Sequence, residues 1–353
     1  MDEISQAVKK RLDSIAKPID SLGILEDLVV KICTIKGCEK PSDLDKRALV
    51  VLCADHGVVA EGVTQTGKEV TKIVAENFAD GLSTVNFMAK RAGVDVFAVD
   101  VGMDTPRYAN RELQTDKVSD RKVGRGTANL MREPAMSREE CEKALEVGRN
   151  IVGELVSKGY GILATGEMGI GNTTPTSVLA ALYLGLDAED VTGKGAGLSD
   201  RGLARKREVI RESIERIQKL SLTDPVDILA QAGGYEIAAM AGMFLGGVKC
   251  HVPIVIDGAI SAVAALAAYR IDERVQKIAI ASHVSDEGTG AMALSALDLE
   301  APIHARMCLG EGTGAMTLFP LIDMAFDVYE KMGAFTDYKI EPYERFEKAE
   351  KEE

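Results

Sequence analysis

The chain has 353 residues, and its 42 Lys and Arg against 55 Asp and Glu give a net charge of −13. Such an acidic surface lacks the basic face that nucleic-acid phosphates require, and it disfavours anionic lipid. Aromatic residues make up 5% of the chain and tryptophan is absent, which argues against base-stacking platforms. The composition therefore predicts a globular protein of one or two domains that binds neither nucleic acid nor membranes.

Residues 1–45 have the apolar spacing of amphipathic helices. From about residue 46, short β-branched apolar runs alternate with longer helical segments. This pattern predicts strands at 48–55, 94–102, 160–167, 252–258 and 277–283, and helices at 137–158, 174–184, 201–219, 235–245, 259–269, 289–298 and 315–332. We expect an α/β fold with a doubly wound, mostly parallel, Rossmann-like sheet. Residues 46–315 are assigned to this large catalytic domain, and 1–45 with 316–353 to a small helical domain.

Cysteine usage and apolar runs indicate the compartment. The six cysteines form no CxxC pair, and Cys53 lies in an apolar run typical of a buried strand. The first residues lack the apolar core of a secretory signal. The longest apolar run, 253–269, is too short to span a bilayer and contains Asp257. These features predict a cytoplasmic protein with reduced thiols and no membrane anchor.

Polar clusters follow four of the predicted strands. They lie at 55–57, 166–174, 257–258 and 282–287. Ligands of an open parallel sheet bind outside the carboxyl ends of its strands, so we expect these clusters to converge on one site. Taken singly, each cluster has the alternative explanation of a helix cap or a tight turn.

The run GEMGIGNTTP at 166–175 is the strongest phosphate candidate. Its glycines allow backbone amides to approach an anion, and Thr174 is expected to cap a helix with Pro175 in its first turn. The spacing is GxxGxG, so the dinucleotide fingerprint is not met. A second candidate is the glycine run 193–197, followed by Lys206, which either neutralises a phosphate or lies on a solvated helix face.

Other chemistries find weaker support in the sequence. Residues 62–68 fit GxxxxGK, but Glu69 stands where a P-loop needs Ser or Thr to hold magnesium, so a P-loop phosphotransferase using Lys68 is discounted. The four histidines lack HExxH or HxH spacing, so His56 and His283 are expected to be structural or orienting. No GxSxG elbow occurs. The residues thus predict an enzyme for a phosphorylated small molecule that uses carboxylates, no metal and no cofactor.

The hexapeptide EGTGAM occurs twice, at 287–292 and at 311–316. Each copy predicts a strand–turn–helix corner with a carboxylate beside a glycine turn. The residues alone do not decide whether Glu287 or Glu311 is the acid–base group.

Several long motifs, in this order, resemble the nicotinate-nucleotide–dimethylbenzimidazole phosphoribosyltransferase family. They are CADHGVVAEGV, GEMGIGNTTPTS, GGYEIAAMAGMFLGG, PIVIDGAISAVAALA, ASHVSDEGTGA and LGEGTGAM. The resemblance runs from Lys17 to about Gly333. It implies transfer of the 5-phosphoribosyl group of nicotinate mononucleotide onto a benzimidazole-type base, which yields nicotinate and an α-ribazole 5′-phosphate with inversion at C1′. It also implies a homodimer.

The resemblance further implies roles for particular residues. The general base falls on Glu311, and a second carboxylate beside the nucleotide falls on Glu167. Substrate contacts fall on Gly169, Ile170, Gly171, Asn172, Thr173, Lys206, Asp257, Gly258, Ser285, Thr66 and Leu309. Among these, the glycine loop and Lys206 are expected on the phosphate, and Asp257 on the ribose side. Nicotinate leaves from a pyridinium, so the reaction needs no metal.

Two positions depart from the family pattern. Val74 stands where an amide side chain faces the base, and Cys308 stands where the family often has arginine, whereas Thr66 keeps a hydroxyl. The accepted base is therefore left open between benzimidazoles, purines and phenols. One further alternative is a regulatory protein of the same fold that binds the nucleotide without transferring it.

Overall fold

The computed structural model describes residues 3–193, 195 and 197–344. Its backbone contacts group the chain into two compact units, Ser42–Leu318 and Met1–Pro41 together with Phe319–Glu353. The domain assignment made from the sequence stays a prediction. In the described part of the chain, no helix is both long enough and apolar enough to cross a bilayer.

The larger unit contains a six-stranded parallel sheet. Its strands are β1 (Arg47–Ala54), β2 (Val94–Gly102), β3 (Ser119–Asp120), β4 (Ile162–Met168), β5 (Ile254–Ile256) and β6 (Ala279–Ala281). The strand order is β3-β2-β1-β4-β5-β6, and every neighbouring pair is parallel. This order is that of a doubly wound sheet whose topological switch point lies between β1 and β4. The predicted α/β fold is confirmed.

Strand β1 lies in the interior of the sheet and is completely buried. Every residue of this strand is buried, including Cys53, as expected for a parallel strand with helices on both faces. Arg47 pairs with Val94 of β2 on one side and with Ile162 of β4 on the other.

Helices surround the sheet and also form the smaller unit. In chain order they are α1 (Glu3–Ser14), α2 (Ile24–Lys36), α3 (Glu69–Ala79), α4 (Thr84–Ala92), α5 (Arg138–Ser157), α6 (Thr173–Leu184), α7 (Ala188–Val191), α8 (Asp200–Gln218), α9 (Pro225–Ala232), α10 (Tyr235–Cys250), α11 (Ala259–Ile271), α12 (Val275–Ile278), α13 (Gly288–Ala296), α14 (Thr313–Lys331) and α15 (Phe335–Tyr338). A 3-10 turn, Gly57–Glu61, follows β1. The sequence did not predict strand β3 or helices α3, α4, α7, α9, α12 and α15.

Helix α10 packs closely against α5, and two glycines make this possible. A Cβ atom on Gly148 would lie 1.9 Å from the Ala239 carbonyl oxygen, and one on Gly242 would lie 2.0 Å from the Leu145 carbonyl oxygen. The glycines therefore let the two backbones touch, which places α10 against β1, β2 and β4.

Three predictions about local structure are wrong. Residues 277–278 were predicted as the start of a strand but lie at the end of α12, because the Lys277 amide donates to the Arg274 carbonyl at 3.0 Å and the Ala279 amide donates to the Val275 carbonyl. Strand β5 covers only three residues of the predicted 252–258. Thr174 is not a helix cap, since α6 already begins at the preceding residue.

Candidate active site

A cavity of about 460 Å³ opens beyond the carboxyl ends of β4, β5 and β6. The structure brings every site residue predicted from the sequence to its lining: Thr66, Glu167, Gly169, Ile170, Gly171, Asn172, Thr173, Lys206, Asp257, Gly258, Ser285, Leu309 and Glu311. Residues distant in sequence meet here because the parallel strands all end at the same edge of the sheet.

The polar cluster after β1 does not join this cavity, so the predicted convergence of four clusters is wrong for that one. His56 is fully buried, and its Nε2 atom lies 2.7 Å from Oε1 of the equally buried Glu236. Asp55 instead accepts a hydrogen bond from the Asp104 amide at 2.7 Å.

The run 62–68 follows a 3-10 turn rather than a strand, so it lacks the strand-to-loop geometry of a P-loop.

The part of the cavity that is best suited to an anion lies at the start of α6. Gly171 adopts φ +95°, which turns the chain into the helix, and the amide dipoles of the helix N-terminus favour negative charge there. Lys206 of α8 is 1% exposed, and its Nζ atom donates to Thr173 Oγ1 at 2.8 Å and to the Gly193 carbonyl at 3.3 Å. Lys206 therefore points into the site rather than lying on a solvated face.

Burial lowers the pKa of Lys206 to about 8, although the negative charge of Glu287 works against this shift. An anion bound beside the ammonium group would favour its charged form. In the second glycine run, Gly193 and Gly195 lie near Lys206, and Gly195 lines the cavity. Lys194 and Ala196 of that run lie outside the described residues.

Glu167 lies at the end of β4, and its carboxylate is buried. Its Oε2 atom accepts a hydrogen bond from Asn172 Nδ2. Burial raises the pKa of Glu167 to about 8, and the nearby charge of Asp257 contributes to the rise. In the free protein, this carboxyl group is therefore largely protonated at neutral pH.

Glu311 lies in a tight turn just before α14. It has φ +62°, and it stands between Gly310 at φ +81° and Gly312 at φ +89°. Burial raises the pKa of Glu311, and the charge of Asp257 adds to the shift. The predicted strand before this corner is wrong, because the chain reaches it through irregular backbone in which only Ile303 forms a bridge, with His283.

Asp257, at the end of β5, supports the start of α14. Its Oδ1 atom accepts hydrogen bonds from the Gly314 amide at 2.7 Å and the Ala315 amide at 3.2 Å, and its Oδ2 atom accepts one from the Gly312 amide at 3.0 Å. Burial raises the pKa of Asp257, and the neighbouring His283 lowers it. Burial in turn lowers the pKa of His283.

Much of the remaining cavity lining is apolar and forms what we call the apolar slot. It is formed by Val63, Val70, Val74, Met168, Ile170 and Leu309, with the Thr66 and Cys308 side chains beside them. Such a wall suits a flat aromatic ring. The sequence did not predict Val70 and Met168 as lining residues. Val70 and Val74 are spaced i, i+4 on α3, and this spacing could have placed the two valines on one face of the helix.

Chemically, the cavity joins an anion site, an apolar slot and two carboxyl groups with raised pKa values. Within the residues that the structure describes, no group of three or more His, Cys, Asp or Glu side chains is placed to hold a metal ion. The fold and this site define a class of protein, an α/β enzyme that acts on a phosphorylated small molecule by acid–base chemistry.

Comparison with known proteins narrows the class. The chain matches the phosphoribosyltransferase family model over residues 1–340. Two relatives named nicotinate-nucleotide–dimethylbenzimidazole phosphoribosyltransferase are 42% identical (Acetivibrio thermocellus, 96% of this chain and 94% of the relative) and 43% identical (Ruminiclostridium cellulolyticum, 98% and 96%). The crystal structure of CobT from Thermus thermophilus superposes with a TM-score of 0.89 at 36% identity, covering 96% of this chain and 99% of that one. The chain belongs to the nicotinate-nucleotide–dimethylbenzimidazole phosphoribosyltransferase family.

Proposed function

We propose that this protein transfers the 5-phosphoribosyl group of nicotinate mononucleotide to a benzimidazole-type base. One observation supports the proposal most directly: a buried lysine at a helix N-terminus and two carboxyl groups with raised pKa values face one cavity. The lysine is suited to a phosphate, and the carboxyl groups to the charge and the proton that the transfer moves.

Binding of the nucleotide begins at its phosphate. Lys206, the Thr173 hydroxyl and the Gly171 amide supply donors for the phosphate, and Asn172 holds the adjacent Glu167. The ribose lies near Gly258 and Ser285, with Asp257 beneath it. The base occupies the apolar slot beside Thr66 and Leu309. This arrangement sets C1′ between the two aromatic rings and supplies much of the rate by orientation.

The chemical step is a substitution at C1′. A ring nitrogen of the base attacks C1′ as the bond from C1′ to the pyridinium nitrogen breaks, and that electron pair stays with nicotinate. Positive charge builds on the incoming ring, and Glu311 takes its N–H proton as general base. Attack from the face opposite the leaving group inverts C1′.

Glu167 acts on the ribose during this step. A cationic pyridinium nearby favours the charged carboxylate, so nucleotide binding lowers the raised pKa of Glu167 and releases a proton. The ionised carboxylate then stabilises the oxocarbenium-like charge at C1′.

An assay with nicotinate mononucleotide and a panel of bases tests this function. The panel contains 5,6-dimethylbenzimidazole, adenine and p-cresol, and released nicotinate is measured by chromatography. We expect turnover with benzimidazoles. A protein that binds the nucleotide but releases no nicotinate with any base would instead be the regulatory alternative.

We also propose that the protein acts in the cytoplasm as a homodimer. The family resemblance implies the dimer, and Leu82 and Phe87, which lie five residues apart in the chain, are 65% and 69% exposed and offer apolar surface that a partner subunit would cover. Sedimentation velocity at micromolar concentration tests it, and a stable monomer would contradict it.

A further inference from the structure

The backbone at Glu311 is held in a conformation that a residue with a side chain adopts at a cost. Three successive residues, Gly310 to Gly312, have positive φ values, and only the middle one is not glycine. A non-glycine residue in the left-handed region is strained, and such residues persist where their surroundings fix them. Something in the structure must therefore hold this turn.

Two buried carboxyl groups flank the Glu311 peptide units. Glu167 Oε1 accepts a long hydrogen bond of 3.5 Å from the Glu311 amide, and Asp257 Oδ2 accepts one of 3.0 Å from the next amide, that of Gly312. Asp257 Oδ1 holds Gly314 and Ala315 in addition. The two N–H groups on either side of the Glu311 α-carbon are thus both fixed, the second one more firmly.

We propose that Asp257 is a positioning residue, whose carboxylate holds the turn that aims Glu311 at the base, and that it does not bind the ribose. The hydrogen bonds to Gly312, Gly314 and Ala315 use both of its oxygens. Asp257 is 2% exposed, so little of it faces the cavity that the nucleotide would fill. The proposal rests on the proposed function, because it assigns the effect of Asp257 to the reaction that Glu311 assists.

The D257N variant tests the proposal sharply. A carboxylate accepts hydrogen bonds at both oxygens, whereas an asparagine has one oxygen and an NH₂ group that only donates. One of the amides of Gly312 and Gly314 would then face a donor, and the turn would lose an anchor. We expect kcat to fall by roughly 10- to 1000-fold while the Kd for nicotinate mononucleotide, from titration calorimetry, stays within about threefold.

D224N is the matched control. Asp224 caps α9 by accepting a hydrogen bond from the Val226 amide at 2.8 Å and does not line the cavity. We expect this variant to keep its kcat and, because asparagine caps helices about as well as aspartate does, to keep most of its thermal stability. If D257N does not fold, D257E takes its place, because it keeps both oxygens but displaces them by one methylene; again kcat should fall at unchanged nucleotide affinity.

The opposite pattern overturns the proposal. A more than tenfold weaker Kd with near-normal kcat at saturating nucleotide would make Asp257 a ribose ligand. A crystal structure of the variant adds a readout that needs no turnover. We expect Gly310–Gly312 to leave the left-handed region; an unchanged turn would refute the positioning role even if the wild-type protein transferred no ribosyl group.

Discussion

The two EGTGAM corners have the same six residues and different backbones. Glu287 precedes α13 with φ −82° in an extended conformation, and its amide donates to Ser285 Oγ at 3.3 Å. Glu311 has φ +62°, and the helix after it begins one residue later in the motif. Both carboxylates line the same cavity. The hexapeptide therefore does not determine its own conformation; what differs is the partner of its amides, a serine hydroxyl in one corner and the Asp257 carboxylate in the other.

The charges around the two glutamates differ as well. Burial raises the pKa of Glu311, the negative charge of Asp257 adds to the rise, and the carboxylate is therefore a stronger base. The charge of Glu287 acts on Lys206 and raises the pKa of that ammonium group against the effect of burial. One corner is thus suited to accept a proton, and the other to keep a phosphate-binding lysine charged.

The largest difference between the corners should be seen in turnover. Glu311→Gln keeps the size of the side chain but removes the proton acceptor, so we expect kcat to fall by roughly 10²- to 10⁴-fold with nucleotide affinity retained. Glu287→Gln serves as the matched variant and should lower kcat by no more than about threefold. Steady-state kinetics with 5,6-dimethylbenzimidazole measures both. Equal losses in the two variants would refute the assignment of the general base to Glu311.

This contrast also shows how far the sequence could lead. The α/β fold followed from strand and helix periodicity, and the cavity followed from polar residues after strands. The residue pattern could not decide between Glu287 and Glu311 as the general base, because the amide contacts of Asp257 that distinguish the two corners join residues far apart in the chain. The polar cluster at 55–57 shows the same limit: it follows a strand, which predicted a place at the shared site, but His56 has the structural role expected for it and pairs with Glu236 beneath the glycine loop.

Glycine-to-alanine variants in the two corners should change the free energy of unfolding by different amounts. A Cβ atom at Gly312 would lie 2.4 Å from Leu49 Cδ1, and its φ of +89° strains any other residue, so Gly312→Ala should cost roughly 1–3 kcal/mol. At Gly288 a Cβ atom would meet nothing within 4 Å, and the residue begins α13, so Gly288→Ala should be neutral or stabilise by up to about 1 kcal/mol. Denaturant unfolding measures both. Equal changes in the free energy of unfolding would show that the two corners do not have different backbone constraints.

The carboxylates around Glu311 should make stability depend on pH. The pKa of Glu167 is about 8 in the folded protein against 4.5 as its ordinary value, so the folded state keeps a proton that the unfolded chain releases. Protonated Glu167 therefore stabilises the folded state at low pH. As the pH rises from about 4.5 to about 8, this contribution to the free energy of unfolding decreases by about 1.4 kcal/mol per pH unit. Glu167→Gln should flatten this slope in unfolding experiments on the ligand-free protein. A slope identical in both proteins would contradict a buried, protonated Glu167.

The smallest effect is expected at the Glu287 corner, in nucleotide affinity at alkaline pH. Glu287→Gln removes the charge that raises the pKa of Lys206, so that pKa should fall below its present value of about 8 and the ammonium group should lose its proton at lower pH. The KM for nicotinate mononucleotide should then rise by roughly two- to threefold near pH 8 and stay unchanged near pH 6.5, where Lys206 is charged in both proteins. A pH series of KM measures this. A KM that decreases at every pH would instead mean that Glu287 mainly repels the phosphate, and coinciding profiles would mean that its charge does not reach Lys206.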